Sequence, residues 1–350
     1  MNPRILDLHN DTILRVVDQS VDLCERHERG HVDLPRLREG GIGCAVFACY
    51  ASRLEHGDGA AARADALLDA AENLCRQPGF TAPKSSADLD ALRDSDAEVG
   101  VLLAVEGGGA LGGDLKRLEL FRRRGVRYLT LAWGDNALTG SAFGDGGGLT
   151  ALGRDAVRLM DDLGILVDVS HMSDSALADT LETARGVVIA SHSDCRALCQ
   201  SPRNLRDDQI RAIAARGGVI GVNFAPGFLS EQTRVAAAPL MARVMEAASD
   251  HARGFLGAME ELRPELDRVP RPDMDAVVDH LERLVEVGGI ECAAFGTDFD
   301  GIQSTPTDLP DCAALPALIA RLQRRGFTDA DLQLICWDNW SRVLTTTFGR

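Results

Sequence analysis

Two histidines of this sequence follow the same short pattern, and the repetition is typical of a metal site. Residues 166–171 (LVDVSH) form an apolar run that ends in Ser-His, and residues 187–192 (VVIASH) repeat it. The segment between them has helical spacing, so the two runs predict adjacent parallel strands joined by a right-handed crossover. Either histidine alone is more often a capped or surface residue. As a pair at neighbouring strand ends, His171 and His192 are predicted to face one pocket as metal ligands.

Three further residues have the types and spacing of metal ligands. His9 and Asp11 are two apart on an extended chain, so their side chains leave on the same side and can hold one cation. Glu106 can bridge two cations through its two oxygens, with His171 and His192 on the second. The set offers nitrogen and oxygen donors without a thiolate, which predicts two zinc ions, with manganese, iron(II) or cobalt as alternatives.

Asp298 is the predicted proton carrier of this site. Two neighbouring cations can share a hydroxide, because they lower the pKa of a bound water far below that of bulk water. Asp298 beside that hydroxide would orient it, take its proton and deliver it to a leaving group. Asp300, two residues further on, is the alternative carboxylate for this role.

The elements that must position these residues are spread over the whole chain. Apolar runs that alternate with helical segments occur at residues 4–8, 43–50, 99–105, 126–131, 166–169, 187–190, 219–224 and 293–295. Eight such runs predict a (β/α)8 TIM barrel, in which all strand ends converge on one face. A doubly wound sheet is the alternative, but it usually keeps its first and last strands far apart. We predict an α/β barrel domain over residues 1–350, with a helical excursion at about 227–272.

Composition limits the classes of partner and of compartment. The formal net charge of −16 disfavours nucleic acid and anionic membranes, because both require a basic face. The first residues lack a signal-peptide pattern, and no run approaches the roughly 18 apolar residues of a membrane span. The nine scattered cysteines fit free thiols in a reducing compartment. These features predict a cytoplasmic protein without a membrane or nucleic-acid partner.

Short motifs surround the candidate residues in a fixed order along the chain. They are DLHND at 7–11, VEGG at 105–108, GVRYLTL at 125–131, VDVSH at 167–171, SHS at 191–193, PRN at 202–204 and DFDG at 298–301. With these motifs the chain resembles, over nearly its whole length, the renal dipeptidase (membrane dipeptidase) family, peptidase family M19, of the amidohydrolase superfamily. The resemblance implies an amidohydrolase-type barrel with a binuclear zinc site at the carboxyl ends of its strands. It also implies that Asp298 is the general acid/base.

The resemblance further implies three substrate contacts. Arg203 would hold the carboxylate of a dipeptide, since a planar guanidinium can donate two parallel hydrogen bonds. Trp133 and Asn136 would lie beside the substrate. Mammalian members of the family have histidines where this chain has Trp133 and Gly109. An indole donates one hydrogen bond but carries no charge, so the mammalian substrate profile is not transferred to this chain.

The resulting prediction is a metal-dependent dipeptidase that uses a hydroxide bridging two zinc ions. Family precedent adds a D-residue at the carboxyl end of the dipeptide. One alternative is a related amidohydrolase that acts on N-acyl amino acids or lactams, which the presence of Trp133 suggests. Another is a non-catalytic barrel that binds small peptides. The excursion is predicted to form a lid or a homodimer interface, and the sequence leaves both open.

Overall fold

Short parallel strands alternate with helices through the part of the chain that the structure, a computed structural model, describes: residues 3–52, 56–248 and 254–348. The strands are β1 (Ile5–Asn10), β2 (Ile42–Tyr50), β3 (Phe80–Thr81), β4 (Val99–Glu106), β5 (Val126–Thr130), β6 (Leu166–Asp168), β7 (Val188–Ile189), β8 (Ile220–Val222) and β9 (Ala293–Phe295). Each of the eight apolar runs overlaps one of these strands. The two-residue β3, which pairs with β4, was not predicted.

The strands close into a ring. Six of them pair in the order β1-β2-β4-β5-β6-β7, and β8 pairs with β9. Isolated parallel bridges join the two sheets, one from the residue after β7 to β8 and one between Asn10 and Phe299. Asp7 strengthens the second closure, because its oxygens accept hydrogen bonds from the Thr297 backbone N–H and hydroxyl at 2.9 and 2.8 Å. The predicted TIM barrel is confirmed, and its first and last strand ends meet.

Helices follow most of the strands. They are α1 (Ile13–Gln19), α2 (Leu34–Glu39), α3 (Ala60–Leu74), α4 (Ser86–Arg93), α5 (Arg117–Arg123), α6 (Ala151–Leu163), α7 (Asp174–Thr183), α8 (Asp207–Ala215), α9 (Pro226–Leu229), α10 (Glu231–Ala248), α11 (Gly254–Leu266), α12 (Asp275–Gly288), α13 (Leu315–Arg324), α14 (Asp329–Gln333) and α15 (Asn339–Thr345). Short 3₁₀ turns lie at Gly57–Gly59, Gly108–Leu111, Ile290–Cys292 and Cys312–Ala314, and a π-helical turn at Leu334–Asp338 joins α14 to α15.

Local sequence explains where α6 begins and ends, and this helix leads into a strand of the site. The Thr150 hydroxyl caps its first turn by accepting a hydrogen bond from the Gly153 N–H. Gly164 ends it with φ 69°, a left-handed conformation that glycine adopts without strain. The chain then turns directly into β6, whose carboxyl end carries His171.

The inner face of the barrel changes from apolar to polar towards the carboxyl ends of the strands. Alternate residues of a strand share a face, and in β4 the inner positions run from Leu102 through Ala104 to Glu106. The same change takes place along β5, along β6 and from β7 into the residues after it: from Tyr128 to Thr130, from Leu166 to Asp168 and from Ile189 to Ser191. Trp337 and Trp340 pack against the apolar layer. The barrel therefore has a hydrophobic base and a polar end.

The excursion predicted at 227–272 is helical, and it contains α10 and α11. These two helices pack on each other through a small apolar cluster of their own, formed by Val244, Ala258, Met259 and Leu262. The first of them begins at Glu231, and Pro239 lies inside it. Residues 249–253 of the excursion lie outside the described residues.

Two findings concern the chain more generally. None of the described helices combines the length and the apolar character needed to cross a bilayer. All nine cysteines are free thiols, and seven of them are buried.

Candidate metal centre

Glu106 lies between two groups of side chains at the polar end of the barrel. Its Oε2 is 3.5 Å from His9 Nε2, which is itself 3.4 Å from Asp11 Oδ2. Its Oε1 is 3.0 Å from His171 Nε2 and 3.5 Å from His192 Nε2. Each oxygen of Glu106 therefore faces one of the two ligand groups that the sequence predicted.

Several atoms of this cluster are those that a cation would satisfy. His9 Nε2, Asp11 Oδ1 and Glu106 Oε1 are buried and have no hydrogen-bond partner among the described residues. Such atoms are costly in a protein interior, and each calls for an explanation. Three groups have ligand atoms within 4.8 Å of one another: His9, Asp11 and Glu106; Glu106, His171 and His192; His9, His192 and Asp298. Imidazole and carboxylate donors at this spacing fit zinc and related divalent ions.

Tyr128 holds His9 in the tautomer that a metal ligand requires. Its hydroxyl donates to the Leu8 carbonyl at 2.8 Å and lies 2.8 Å from His9 Nδ1. Because a hydroxyl has one proton, Tyr128 accepts the hydrogen bond from Nδ1–H, and His9 Nε2 keeps its lone pair. The pairing of β1 with β2 shifts register between Asp7 and Asn10, next to this histidine. Irregularities of this kind re-aim side chains near active sites.

A second chain of hydrogen bonds, from Asp168 through Ser191, orients His192. Ser191 Oγ donates to Asp168 Oδ2 at 2.6 Å and lies 2.7 Å from His192 Nδ1. The His192 Nδ1–H therefore donates to Ser191, and Nε2 remains for a metal. Asp168 also accepts hydrogen bonds from the Thr130 hydroxyl and from the backbone N–H groups of Ser170 and Ser191. These contacts fix its carboxylate between β5, β6 and β7.

The electrostatics of Glu106, His171 and His192 favour the protonation states of metal ligands. Burial acts to raise the pKa of Glu106, but His9 and then His171 outweigh it, and the pKa lies below its ordinary value. Burial, followed by the charge of Arg203, lowers the pKa of His171 to about 4. Burial likewise holds the pKa of His192 well below its ordinary value. An ionised carboxylate and neutral imidazoles are the forms that bind cations. The other two candidates shift the opposite way: burial raises the pKa of Asp11, and Tyr128 and Glu106 raise the pKa of His9 against the effect of its burial.

Asp298 reaches the cluster from the loop after β9. Its Oδ2 accepts a hydrogen bond from Asn223 Nδ2 at 2.8 Å, and its backbone N–H donates to the His9 carbonyl at 3.0 Å. Burial, and after it the charge of Asp11, raises the pKa of Asp298 well above its ordinary value. This position is compatible with the proton-transfer role that the sequence predicts.

Asp300, the alternative carboxylate, holds two segments of backbone together instead. Its oxygens accept hydrogen bonds from the Thr12 hydroxyl and from the His31 backbone N–H, both at 2.7 Å. Arg15 lies 3.6 Å from the same carboxylate. The Asp300 N–H in turn donates to His31 Nδ1 at 2.9 Å. Since these contacts occupy both oxygens, Asp298 is the better candidate for proton transfer.

Three residues of these loops have left-handed backbone conformations. The φ angles of His171, Asp298 and Asp300 are 67°, 59° and 65°. Residues other than glycine seldom adopt such angles, and each instance costs about 1–3 kcal/mol. Strain of this kind is common at functional sites, where the surrounding structure imposes the conformation.

A cavity of about 900 Å³ begins at the cluster, and its wall includes Asp11, Glu106, His171 and Asp298. Trp133 also belongs to this wall. On the side away from the barrel, the wall consists of residues from α9, α10 and α11. The candidate metal ligands and the helical excursion therefore share one cavity.

The residues predicted to contact the substrate have different surroundings. Arg203 is buried next to the cluster, and its Nη1 and Nη2 donate to Ser193 Oγ at 2.8 Å and to the His192 carbonyl at 2.9 Å. Asn136 is bound within its own loop: its amide donates to the Leu131 and Gly134 carbonyls and accepts from the Leu138 N–H. Neither Arg203 nor Asn136 belongs to the described wall of the cavity, and no contact supports Asn136 as a substrate ligand.

Comparison with known proteins decides the family. The sequence profile of the membrane dipeptidases, peptidase family M19, matches residues 2–348. The chain belongs to this family. It is 33% identical over 268 residues to a Klebsiella pneumoniae protein described as an uncharacterized protein in the pqqA 5′ region. That match covers 74% of this chain and 86% of the other protein. It is 28% identical over 353 residues to Dipeptidase 3 of Rattus norvegicus; the match covers 97% of this chain but 64% of that protein.

Solved structures of M19 peptidases have the same fold. Dipeptidase AC, a metallo peptidase of family M19, is similar with a TM-score of 0.82 and 26% identity, and both chains are covered in full (100%). A metallo peptidase from Rhodobacter sphaeroides, liganded with a phosphinate mimic of the dipeptide L-Ala-D-Ala, has a TM-score of 0.82 at 24% identity, covering 99% of this chain and 100% of that one. The prediction of an enzyme of the M19 dipeptidase family is confirmed, and its buried His/Asp/Glu cluster is suited to metal binding.

Several residues that hold this M19 site together were not among the predicted functional residues. Tyr128 and Asp168 orient the histidines, and Asn223 binds Asp298. Their partners come from other strands, so spacing along the chain could not reveal them. One signal was present: Asp168 lies inside an apolar strand, and a buried carboxylate there requires partners.

Proposed function

We propose that the protein is a dipeptidase that hydrolyses the amide bond of a dipeptide at a site for two zinc ions. One observation carries the proposal: the two oxygens of Glu106 face different ligand groups, with His9 on one side and His171 and His192 on the other. A buried carboxylate in this position is suited to bridge two cations.

The chain supplies positioning and proton transfer. Two zinc ions, when bound, lower the pKa of a water molecule that they share and polarise the scissile carbonyl. Asp298 would accept a proton from the attacking water and return it to the departing amine. Asn223 holds Asp298 Oδ2, which leaves Oδ1 to carry the proton. The hydroxyls of Tyr128 and Ser191 accept hydrogen bonds from the Nδ1–H groups of His9 and His192, so that Nε2 of each ring is available to a metal.

Arg203 is our candidate for holding the carboxylate of the dipeptide. Its guanidinium is buried beside the metal ligands, and its Nε has no hydrogen-bond partner within the described residues. Its Nη1 and Nη2 each donate one of their two N–H groups to Ser193 and His192, so further donors remain. A substrate carboxylate would offset this buried charge. A D-residue at the carboxyl end is the finer part of the proposal, in line with the L-Ala-D-Ala mimic bound by the Rhodobacter sphaeroides peptidase.

The test is amine release from L–L and L–D dipeptides by zinc-loaded protein, with a chelator-treated control. We expect metal-dependent turnover, and the ratio of L–D to L–L rates measures the stereochemical preference. Asp298→Asn should abolish turnover while two ions per chain remain bound, because the amide cannot carry the proton. Appreciable activity of this variant would remove Asp298 from the mechanism.

A second candidate is an amidohydrolase that acts on N-acyl amino acids or lactams. The observation that favours it is the uncharged indole of Trp133 in the cavity wall. If the dipeptide panel is not cleaved although two ions are bound, N-acyl amino acids and lactams are the substrates to assay next. Binding of dipeptides without turnover of any of these compounds would favour a non-catalytic barrel.

A cytoplasmic location and a homodimer remain proposals from the sequence. Cell fractionation checks the first. Light scattering on the purified protein checks the second, and a mass near 37.5 kDa would contradict a dimer.

A further inference from the structure

We infer that this site prefers dipeptides that carry a large apolar side chain over dipeptides of small residues. The inference rests on the proposed function and names the substrate class of the same site. It comes from the part of the cavity that lies away from the metal ligands. We call this part the apolar chamber; its wall includes Ala238, Met241, Met245, Met259, Leu266 and Val269.

The size of the cavity exceeds what a dipeptide of small residues requires. Its volume of about 900 Å³ lies near the upper end of the roughly 300–1,000 Å³ found for pockets of drug-sized ligands. The metal cluster lines part of this volume, and the scissile amide must lie beside it. The apolar chamber therefore remains for a group attached to that amide.

The charged residues in the wall outside the metal cluster each have a polar partner, but only one of them has a partner of opposite charge. Asp135 accepts hydrogen bonds from backbone N–H groups of its own loop. Arg234 forms a salt bridge with Glu231, and Arg271 donates to the Thr305 carbonyl at 2.9 Å. Apart from Arg271, whose guanidinium keeps its charge and further donors, the described wall of the apolar chamber thus offers methionine, alanine and aliphatic surface. Such a surface selects by apolar contact.

One face of α10 shows that this apolar surface is open. The Met245 side chain is 44% exposed although it belongs to the cavity wall. A substrate group that covers it would remove apolar area from water on both partners. Methionine is suited to this task, because its flexible thioether adapts to groups of different shape. Val235 lies on the same helix and is 56% exposed, but it does not belong to the wall.

The two exposed positions provide a variant and a matched control. Zinc-loaded protein is assayed with Ala–Ala, Leu–Ala and Ala–Leu, all of L-residues. We expect kcat/KM for the better of the two leucine dipeptides to exceed that for Ala–Ala by about tenfold or more, since even one methylene in an apolar pocket is worth about that factor. Met245→Glu should reduce this ratio by about tenfold, because it places a charge in the apolar chamber. Val235→Glu should leave the ratio unchanged.

A binding measurement separates this inference from the proposed function. Phosphinate mimics of the same dipeptides are titrated into the metal-loaded protein by calorimetry, and the leucine mimic should bind about tenfold tighter. Tighter binding of the leucine mimic without turnover of any dipeptide would support the apolar chamber and contradict the dipeptidase proposal. Equal kcat/KM and equal affinity for the leucine and alanine compounds would overturn the inference. Such a result would still support the proposed dipeptidase activity. The inference would also be overturned if Val235→Glu lowered the ratio of kcat/KM values as much as Met245→Glu does.

Discussion

The metal cluster and the apolar chamber line one cavity, and their side chains are held in different ways. At the cluster, Glu106 and Asp168 come from buried strands, and the ring nitrogens of His9 and His192 have defined partners. The chamber is formed by α10 and α11, which share a small apolar cluster of their own, and its Met245 is 44% exposed. Hydrogen bonds from several strands hold the candidate catalytic groups of the barrel, whereas the side chains of the apolar chamber make apolar contacts.

The largest loss of activity is expected when the candidate bridging carboxylate, Glu106, is replaced. Glu106→Gln keeps the size of the side chain but removes the charge that faces both ligand groups. We expect kcat/KM to fall on the order of 10³-fold or more and the metal content to fall below two ions per chain. Metal analysis after dialysis and a dipeptide assay check both. Glu119→Gln, at an exposed residue of α5, is the matched control and should change neither. Two retained ions with full activity would refute the bridging role.

A pair of cavity-forming substitutions compares the stability of the two regions. Leu102→Ala in the inner layer of the barrel should lower the free energy of global unfolding by about 2–5 kcal/mol, because the packed strands cannot collapse around the cavity. Leu262→Ala in the cluster between α10 and α11 should instead speed hydrogen exchange in those two helices and change global unfolding little. Urea unfolding and amide exchange measure the two effects. Equal losses of global stability would contradict the distinction.

Removal of one hydroxyl tests how far the barrel controls the ligands. Tyr128→Phe deletes the acceptor for His9 Nδ1–H and leaves the ring in place. Loss of such an outer partner costs about 10–100-fold in metal affinity or activity. Chelator competition and kcat/KM check this expectation. Unchanged metal affinity would show that His9 is oriented by its strand alone.

His280 on α12 connects the two regions and gives the smallest predicted effect. Its Nδ1 accepts from the Cys195 N–H and its Nε2–H donates to the Leu229 carbonyl, both at 3.0 Å, so the neutral ring joins the loop after His192 to α9. Burial lowers its pKa to about 4. Its contribution to stability is therefore present above the unfolded pKa of about 6.5 and is lost as the pH falls towards the folded value.

The measurement is urea unfolding of the wild type and of His280→Gln. Between pH 6.5 and 5.5 the histidine should account for about 1 kcal/mol of the decrease in the free energy of unfolding of the wild type. The variant should lack that part of the pH dependence, because glutamine does not titrate. Parallel curves for the two proteins would contradict the assignment.

The sequence predicted the fold and the metal cluster because both leave local signals. Apolar runs mark the strands, and the residues after each run mark the converging ends, which is how His171 and Glu106 could be placed together. The structure closes the ring between Asn10 and Phe299, and this brings Asp298 to His9. Convergence of strand ends is a property of the barrel and follows once the strands are counted.

Other features depend on contacts between distant segments, and spacing cannot show them. Spacing alone does not separate Asp298 from Asp300, whereas the contacts of Asp300 with Thr12 and His31 do. Asn136 was expected beside the substrate, but its amide is bound to its own loop. The apolar chamber also escaped prediction, because the composition of the excursion does not tell which helix face lines a cavity.

The left-handed backbone at His171 and Asp298 has a consequence for protein engineering. A search for thermostable variants is drawn to such positions, because glycine there would relieve local strain and should raise the melting temperature. The same replacements delete an imidazole or a carboxylate of the site. Selection for heat resistance and selection for turnover should therefore choose opposite residues at these two positions. A library scored only for melting temperature would accumulate well-folded, inactive barrels.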